Sequence, residues 1–273
     1  MPDTNVVAKS NRLVEASYRL SLVEQQMILF AICRARDEQK GLSSTTWLTL
    51  DSKAFAAAFG TDPKNAYRQL AEAAATLYDR SITMYDNDGD PRKIETRWIQ
   101  AKAKIDNRGQ VQLKFADDVI PYLTRLETEF TQYRLEKIGK LSSAYAVRLY
   151  ELLLQFVNTK QKSREFAIVE LRKTLGLSEL EYPAIDRFKD RVIDAAVAQI
   201  NAHTDLTTSY TQQRTGRFIT HLNFAIKIKT PDKPKKPKID RVYVEKHALP
   251  GESYEQAFAR LKTAQNRPVT SLF

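Results

Sequence analysis

The sequence predicts an α+β protein built of two tandem winged helix-turn-helix domains of similar architecture, and three observations predict it. One order of elements can be read twice, about 120 residues apart: helix, strand, short helix ending in glycine, longer helix, two-stranded ribbon. A chain of 273 residues with 42% hydrophobic content is long enough for two cores of ordinary size. Lys and Arg number 43 against 33 Asp and Glu, and the net charge of +10 suits a polyanionic partner.

The first helix is read over residues 22–36, where Val23, Met27, Phe30 and Ala31 form an apolar stripe and Ser21 with Glu24 fits a capping box. A short strand follows at 47–50, then a short helix capped by Asp51, carrying Phe55, Ala58 and Phe59 and ended by Gly60. Asp62-Pro63 opens a longer helix through Tyr78 with Ala66, Leu70, Ala73, Ala74 and Leu77 as its core face. Strands at 81–85 and 94–105 are expected to form a hairpin through Asn87-Asp88-Gly89-Asp90. In the second of these, Ile99, Ala101, Ala103 and Ile105 are expected on the buried face, and Gln100, Lys102 and Lys104 on the wet one.

The order recurs with a helix at 142–156 (Ala146, Leu149, Leu153, Phe156), a strand near 165–168, and a short helix with Leu171 and Leu175 ending at Gly176. After Pro183 a long helix runs to Ala202, with Ile185, Phe188, Val192, Ala195, Ala196 and Ile200 as its stripe. Strands at 206–210 and 218–228 close the unit, the second placing Phe218, Leu222, Phe224, Ile226 and Ile228 on one face. Residues 78–83 are set against 203–208 as the matching entry into each ribbon. The expected division is 1–130 for the first domain, 131–229 for the second and 230–273 for a basic Pro/Lys linker with a terminal amphipathic helix. Residues 227–246 hold eight basic and three acidic side chains, so half the net charge sits there. The linker 230–239, with Pro231, Pro234 and Pro237 among lysines, is expected to be extended and to track phosphates without reading sequence. The helix near 252–264, with Tyr254, Ala257, Phe258 and Leu261, is expected to dock on the body.

In a helix-turn-helix the second helix enters the major groove, where base edges are distinguishable. On the helix after Pro63, the face opposite Leu70 carries Lys64, Asn65 and Arg68, with Ala71 and Ala75 small enough to allow close approach. On the helix after Pro183, Arg187 and Arg191 flank the stripe on one side and Lys189 on the other, while Asp186, Asp190 and Asp194 face outward. Those charges read equally as a solvated surface of internal Asp–Arg pairs. The turn Arg214-Thr215-Gly216-Arg217 can lie along a phosphate backbone, or be a plain exposed turn.

The eight glycines are scattered and form no phosphate loop or dinucleotide fingerprint. The three histidines are far apart and Cys33 is the only cysteine, in an apolar stretch, so no metal site, zinc finger or disulfide is expected. Tyr133, Tyr145 and Tyr150 fit packing better than nucleophilic roles. No catalytic residue and no cofactor are expected, and no secretory signal or membrane span is read, which places the protein in the cytoplasm.

Asn11-Arg12-Leu13-Val14-Glu15-Ala16, then Tyr18-Arg19-Leu20-Ser21 and Glu24-Gln25, resembles the opening of iteron-binding plasmid replication initiators. Ser143-Ala144-Tyr145-Ala146-Val147-Arg148-Leu149-Tyr150-Glu151-Leu152-Leu153 resembles the start of that family's second domain. Phe188-Lys189-Asp190-Arg191-Val192-Ile193 through Ile200-Asn201, Thr204-Asp205-Leu206, and later Gly216-Arg217 are similar to its recognition helix and wing. The resemblance covers residues 9–228 and implies two winged-helix domains that contact successive stretches of repeated origin DNA as a monomer. It further implies origin opening, recruitment of the host replication initiator and helicase, and a dimer that binds an operator inverted repeat and represses its own gene. By matching positions, Arg187, Lys189 and Arg191 fall on the second recognition helix and Arg217 on its wing; Lys64, Asn65 and Arg68 match more loosely, and the tail beyond Ile228 has no counterpart. The competing readings are a dimeric winged-helix transcriptional regulator and a partner-binding protein with a basic tail, which would bind DNA weakly and without sequence preference.

Overall fold

Ser10 ends strand β1 (Val6–Ser10) and caps helix α1 (Asn11–Glu15), its hydroxyl accepting the Leu13 amide at 3.2 Å. The computed structural model describes residues 5–37, 42–86, 92–123, 130–157, 159–160, 162–229, 239–249 and 251–266. Two compact units are present, Met1–Lys229 and Thr230–Phe273.

Helix α2 (Leu22–Asp37) starts with the expected capping box: the Ser21 amide donates to Glu24 Oε2 at 2.6 Å and the Glu24 amide to Ser21 Oγ at 3.2 Å. Every residue from Glu24 to Cys33 is buried, so the helix runs through the core and does not lie on it with one stripe. Buried Glu24 is compensated by Arg80, whose Nε lies 3.0 Å from Oε1. Strand β2 (Leu48–Asp51), helix α3 (Ser52–Phe59) and helix α4 (Pro63–Leu77) follow as expected. Asp51 caps α3 by accepting the Lys53 and Ala54 amides at 3.0 and 2.9 Å, and Gly60 takes the left-handed conformation that ends it.

The strands after α4 depart from expectation. β3 (Ser81–Asp86) pairs with β4 (Arg92–Arg97) and bridges Ser17 through Thr83, and β5 (Ile99–Ile105) belongs to a different sheet with β6 (Gln110–Phe115) and β2, in the order β2-β6-β5. The run 94–105 therefore breaks at buried Trp98 into two strands, and the turn 87–90 lies outside the described residues. The exposure along β5 alternates as expected, with Gln100, Lys102 and Lys104 exposed, while a bulge between Ile99 and Ala101 shifts the register of its pairing with β6. Lys102 and Lys104 are paired with Leu113 and Val111 and remain exposed, whereas Ala101, Ala103 and Ile105 are half-buried. Lys102 Nζ donates to the Ala75 carbonyl at 3.3 Å.

Strand β7 (Phe130–Arg134) returns to pair antiparallel with β1, and α5 (Ala144–Leu154) opens the second half, its buried Tyr150 packed edge-on against buried Tyr133 of β7. β8 (Ser163–Ala167), α6 (Ile168–Thr174), α7 (Ile185–Phe188), a π-helical turn at Lys189–Asp194, and α8 (Ala195–His203) lead to β9 (Leu206–Thr215) and β10 (Phe218–Ile228). This sheet has the order β8-β10-β9, which is the topology of β2-β6-β5. The chain thus contains the same strand, helix, helix, hairpin unit twice, two winged helices in tandem. The match places β5 opposite β9, so the pairing of residues 78–83 with 203–208 is corrected and β3–β4 is an additional hairpin of the first unit.

The π turn holds one residue more per turn than an α-helix and rotates the buried stripe. Ile185 and Phe188 lead up to it; Val192 and Ile193 are both buried within it, Ala196 and Ile200 continue the buried side, and Ala195, expected in the stripe, is exposed. A second bulge, between Ile219 and His221, turns Phe218 out: it is 64% exposed while Leu222, Phe224 and Ile226 are buried. Ile228, at the strand end, is 50% exposed.

The C-terminal compact unit, Thr230–Phe273, contains α9 (Arg241–His247) packed against α10 (Tyr254–Asn266), joined by Arg260, which meets Glu252 at 2.8 Å and donates to the His247 carbonyl at 2.9 Å. The linker residues 230–238 lie outside the described residues. Among the described residues no helix is long and apolar enough to cross a membrane.

Candidate nucleic-acid interface

In the first unit the helix presented to solvent is α4. Asp62 caps it by accepting the Lys64 amide at 3.0 Å, and Pro63 fills the first turn, where no amide donor is needed. Lys64 and Arg68 are exposed on one face and Asn65 is half-buried between them. Asn65 Nδ2 donates to Asp62 Oδ2 at 3.1 Å and its Oδ1 accepts from Arg68 at 3.2 Å, so the amide holds Arg68 against the start of the helix. Ala71, expected on this face, is buried, because the core side of α4 is wider than the Leu70 stripe alone.

Sequence reasoning missed the wing that accompanies this helix. β5 and β6 join through Asp106–Arg108 and Gly109, whose φ of +63° favours glycine, and Arg108 stands exposed at the tip. The Tyr67 hydroxyl on α4 donates to Asp106 Oδ1 and ties helix to wing; that bond, more than burial, pushes the tyrosine pKa up. The signal was present: Asn107-Arg108-Gly109 separates two runs, of which the second alternates as Val111, Leu113, Phe115.

In the second unit α7, the π turn and α8 form one continuous helix. Arg187 and Arg191 are exposed; Arg191 Nε lies 3.3 Å from Asp190, and Lys189, mostly covered, meets Asp186 at 3.4 Å. The expected internal pairing of acids and bases is therefore present for Arg191 and Lys189. Exposed Ala195 and Ala198 follow on this helix and leave its surface low. Tyr210 on β9 donates to Asp194 Oδ1 at 2.7 Å, the counterpart of the Tyr67–Asp106 bond with donor and acceptor elements exchanged. Burial first, and the carboxylate second, raise the Tyr210 pKa.

The second wing is the longer projection. All residues from Thr211 to Phe218 are exposed, so Arg214, Thr215, Gly216 and Arg217 stand on a hairpin clear of the core. Gly216, at φ +61°, begins a two-residue turn that needs a positive φ there, and the Arg217 guanidinium lies 5.1 Å from the Phe218 ring centroid. Gln213 donates to Glu165 on β8 and braces the base of the arm. Each unit thus offers a helix with exposed cations beside a hairpin ending in arginine, the arrangement that meets a major groove and its flanking phosphates. Among the described residues no cluster of three or more His, Cys, Asp or Glu is placed to hold a metal ion.

Comparison with known proteins agrees with this geometry. An uncharacterised 27.6 kDa protein of Escherichia coli is 23% identical over 221 residues, covering 78% of this chain and 92% of that protein. The PI protein of Escherichia coli is 25% identical over 256 residues, covering 82% of this chain and 84% of that protein. The crystal structure of Pi initiator protein in complex with iteron DNA matches with a TM-score of 0.69 and 23% identity, over 85% of this chain and all of that one. The family described as initiator replication protein, first winged-helix domain, matches residues 6–154, and its second winged-helix domain matches residues 167–226. With more than half of its length matched and both domains found in the folded chain, this protein belongs to the initiator replication protein family.

Proposed function

We propose that this protein initiates plasmid replication by binding the direct repeats, or iterons, of an origin with both winged helices at once. The observation that carries the reading is the duplicated pair of recognition helix and wing, each pair tied by a Tyr–Asp hydrogen bond. The related initiator was crystallised on iteron DNA, which supports the same target here. In this reading α4 presents Lys64, Asn65 and Arg68, and the second recognition helix presents Arg187, Lys189 and Arg191 to base edges and nearby phosphates. Arg214, Thr215, Gly216 and Arg217 on the second wing, and Arg108 on the first, hold the backbone.

We assign residues 1–130 to the first domain, 131–229 to the second and 230–273 to a tail. The packing of α5 against α8 supports this division. Function by binding alone, without catalytic residue, metal or cofactor, in the bacterial cytoplasm, follows from the same reading. So do a monomer that opens the origin with the host initiator and helicase, and a dimer that binds an inverted repeat and represses the gene. The test is binding to duplexes carrying one origin repeat, an inverted repeat or random sequence. The proposal expects the monomer to select the single repeat, and preference for random DNA equal to that for the repeat would refute it.

A further inference from the structure

The two winged helices meet across a buried polar seam within the first compact unit. Arg148, on α5, is 1% exposed, and its guanidinium reaches three acceptors. It donates to the Tyr18 hydroxyl, to the Ala16 carbonyl at 2.8 Å and to the Thr174 carbonyl at 2.9 Å, and it stacks 3.8 Å from the Tyr18 ring centroid. Ala16 and Tyr18 lead into α2, on which α4 packs; Thr174 ends α6, the helix before the second recognition helix. One planar cation therefore grips the frame of both reading heads, a span that a lysine ammonium, as a point charge, does not reproduce. Glu151, one turn along α5, accepts Lys9 of β1 at 2.5 Å and the Tyr133 hydroxyl of β7, so the same helix also holds the β1–β7 pair.

Gly176 makes the second grip by the absence of a side chain. Its φ is +76°, and a Cβ there would stand 2.3 Å from the Tyr18 carbonyl oxygen and 3.0 Å from Arg19 Cα, both backbone. Gly60 ends the equivalent helix of the first unit at φ +65°, yet a Cβ there meets nothing within 4 Å. The shared requirement is the left-handed cap; the close approach belongs to Gly176 alone. Ser17 donates to the Lys173 carbonyl at 2.8 Å, and Arg19 forms a two-pronged pair with Glu181 at 2.8 and 3.0 Å, across the same line.

We propose that Arg148 and Gly176 are positioning residues for DNA reading: they lock the distance and phase between the two recognition helices, so that the protein accepts one spacing of the two halves of its site. The inference rests on the two-headed binding proposed above. A base pair inserted between the halves displaces them by about 3.4 Å and rotates them by about 35°, which a locked pair of heads does not follow and a loosened pair does.

The test uses the full-length protein and the duplex it selects from random-sequence DNA, with variants carrying one or two inserted base pairs, and each half alone. Wild type is expected to bind the intact duplex far more tightly than either half, and to lose about tenfold or more on a one-base-pair insertion, since linked binding gains its strength only where geometry allows both contacts. Arg148→Met and Gly176→Ala are expected to weaken intact-site binding about tenfold, to leave each half within about twofold, and to shrink the insertion penalty to about threefold or less. Gly60→Ala, with the same backbone strain and no clash, is expected to keep the wild-type penalty. Retention of the full insertion penalty in Arg148→Met and Gly176→Ala would overturn the inference. So would equal losses on intact and half sites in both, which would mean that the two residues only maintain the fold. A wild-type protein indifferent to insertions would instead overturn the two-headed binding itself.

Discussion

At the residue scale, the proposed interface holds two kinds of cation, those on the helices placed to meet base edges and those on the wings placed to meet phosphates. Arg191 projects from the recognition helix, and Arg191→Ala is expected to cost about 1–3 kcal/mol on the cognate repeat and much less on random DNA. Competitive binding measured on both DNAs checks this, and equal losses would remove Arg191 from base reading. Arg108 stands at a wing tip, and Arg108→Ala is expected to weaken all DNA binding alike and to reduce the slope of log affinity against log salt by about one. A salt titration that keeps the wild-type slope would show that the first wing does not touch phosphate. These residues differ in how legible they were. Arg214 and Arg217 announced themselves through a glycine turn before an alternating strand, whereas Arg108 lay behind a strand boundary set wrongly at residues 94–105.

At the element scale, helices and their ends were readable because caps and glycine stops are local chemistry. Ser21 with Glu24, Asp51, Asp62, Gly60 and Gly176 all act where their residue types suggest. What escaped were the departures from regular period: the bulge in β10 and the π turn, each shifting a face by one residue, and the bulge in β5, which shifts strand register while exposure still alternates as read. The shift in the recognition helix is testable. Ile193→Ala is expected to cost about 2–5 kcal/mol, as for a buried side chain, while Ala195→Ser stays within about 0.5 kcal/mol; a regular α-helix would reverse that order. Denaturant unfolding of both variants measures it. In the α9–α10 pair, hydrogen bonds first from Arg260 and then from the Leu249 amide hold the Glu252 carboxyl at about 2, below its ordinary 4.5. A depressed folded-state value gives stabilisation that is present above pH 4.5 and is lost as the pH falls toward 2. Order in α10, followed by amide NMR, is expected to decline through that window, and Glu252→Gln to flatten the decline.

At the scale of the whole molecule, the duplication was legible as an order of elements even where the elements were mispaired. Strand, short helix with glycine stop, and longer helix recur with their caps, and those were enough to find both units. The partners of the strands were not legible, because β2 pairs with β6 and β8 with β10 across about 60 residues that local patterns do not connect. Nor was the seam around Arg148, since a single arginine in an apolar helix carries no local mark of the carbonyls it will meet. The most direct measurement of two-headed reading is a hydroxyl-radical footprint of the monomer on one origin repeat, repeated with Arg68→Ala and Arg191→Ala. Two protected windows about one helical turn apart are expected, with each substitution fading a different one. A single window, or two that fade together in either variant, would contradict two-headed reading.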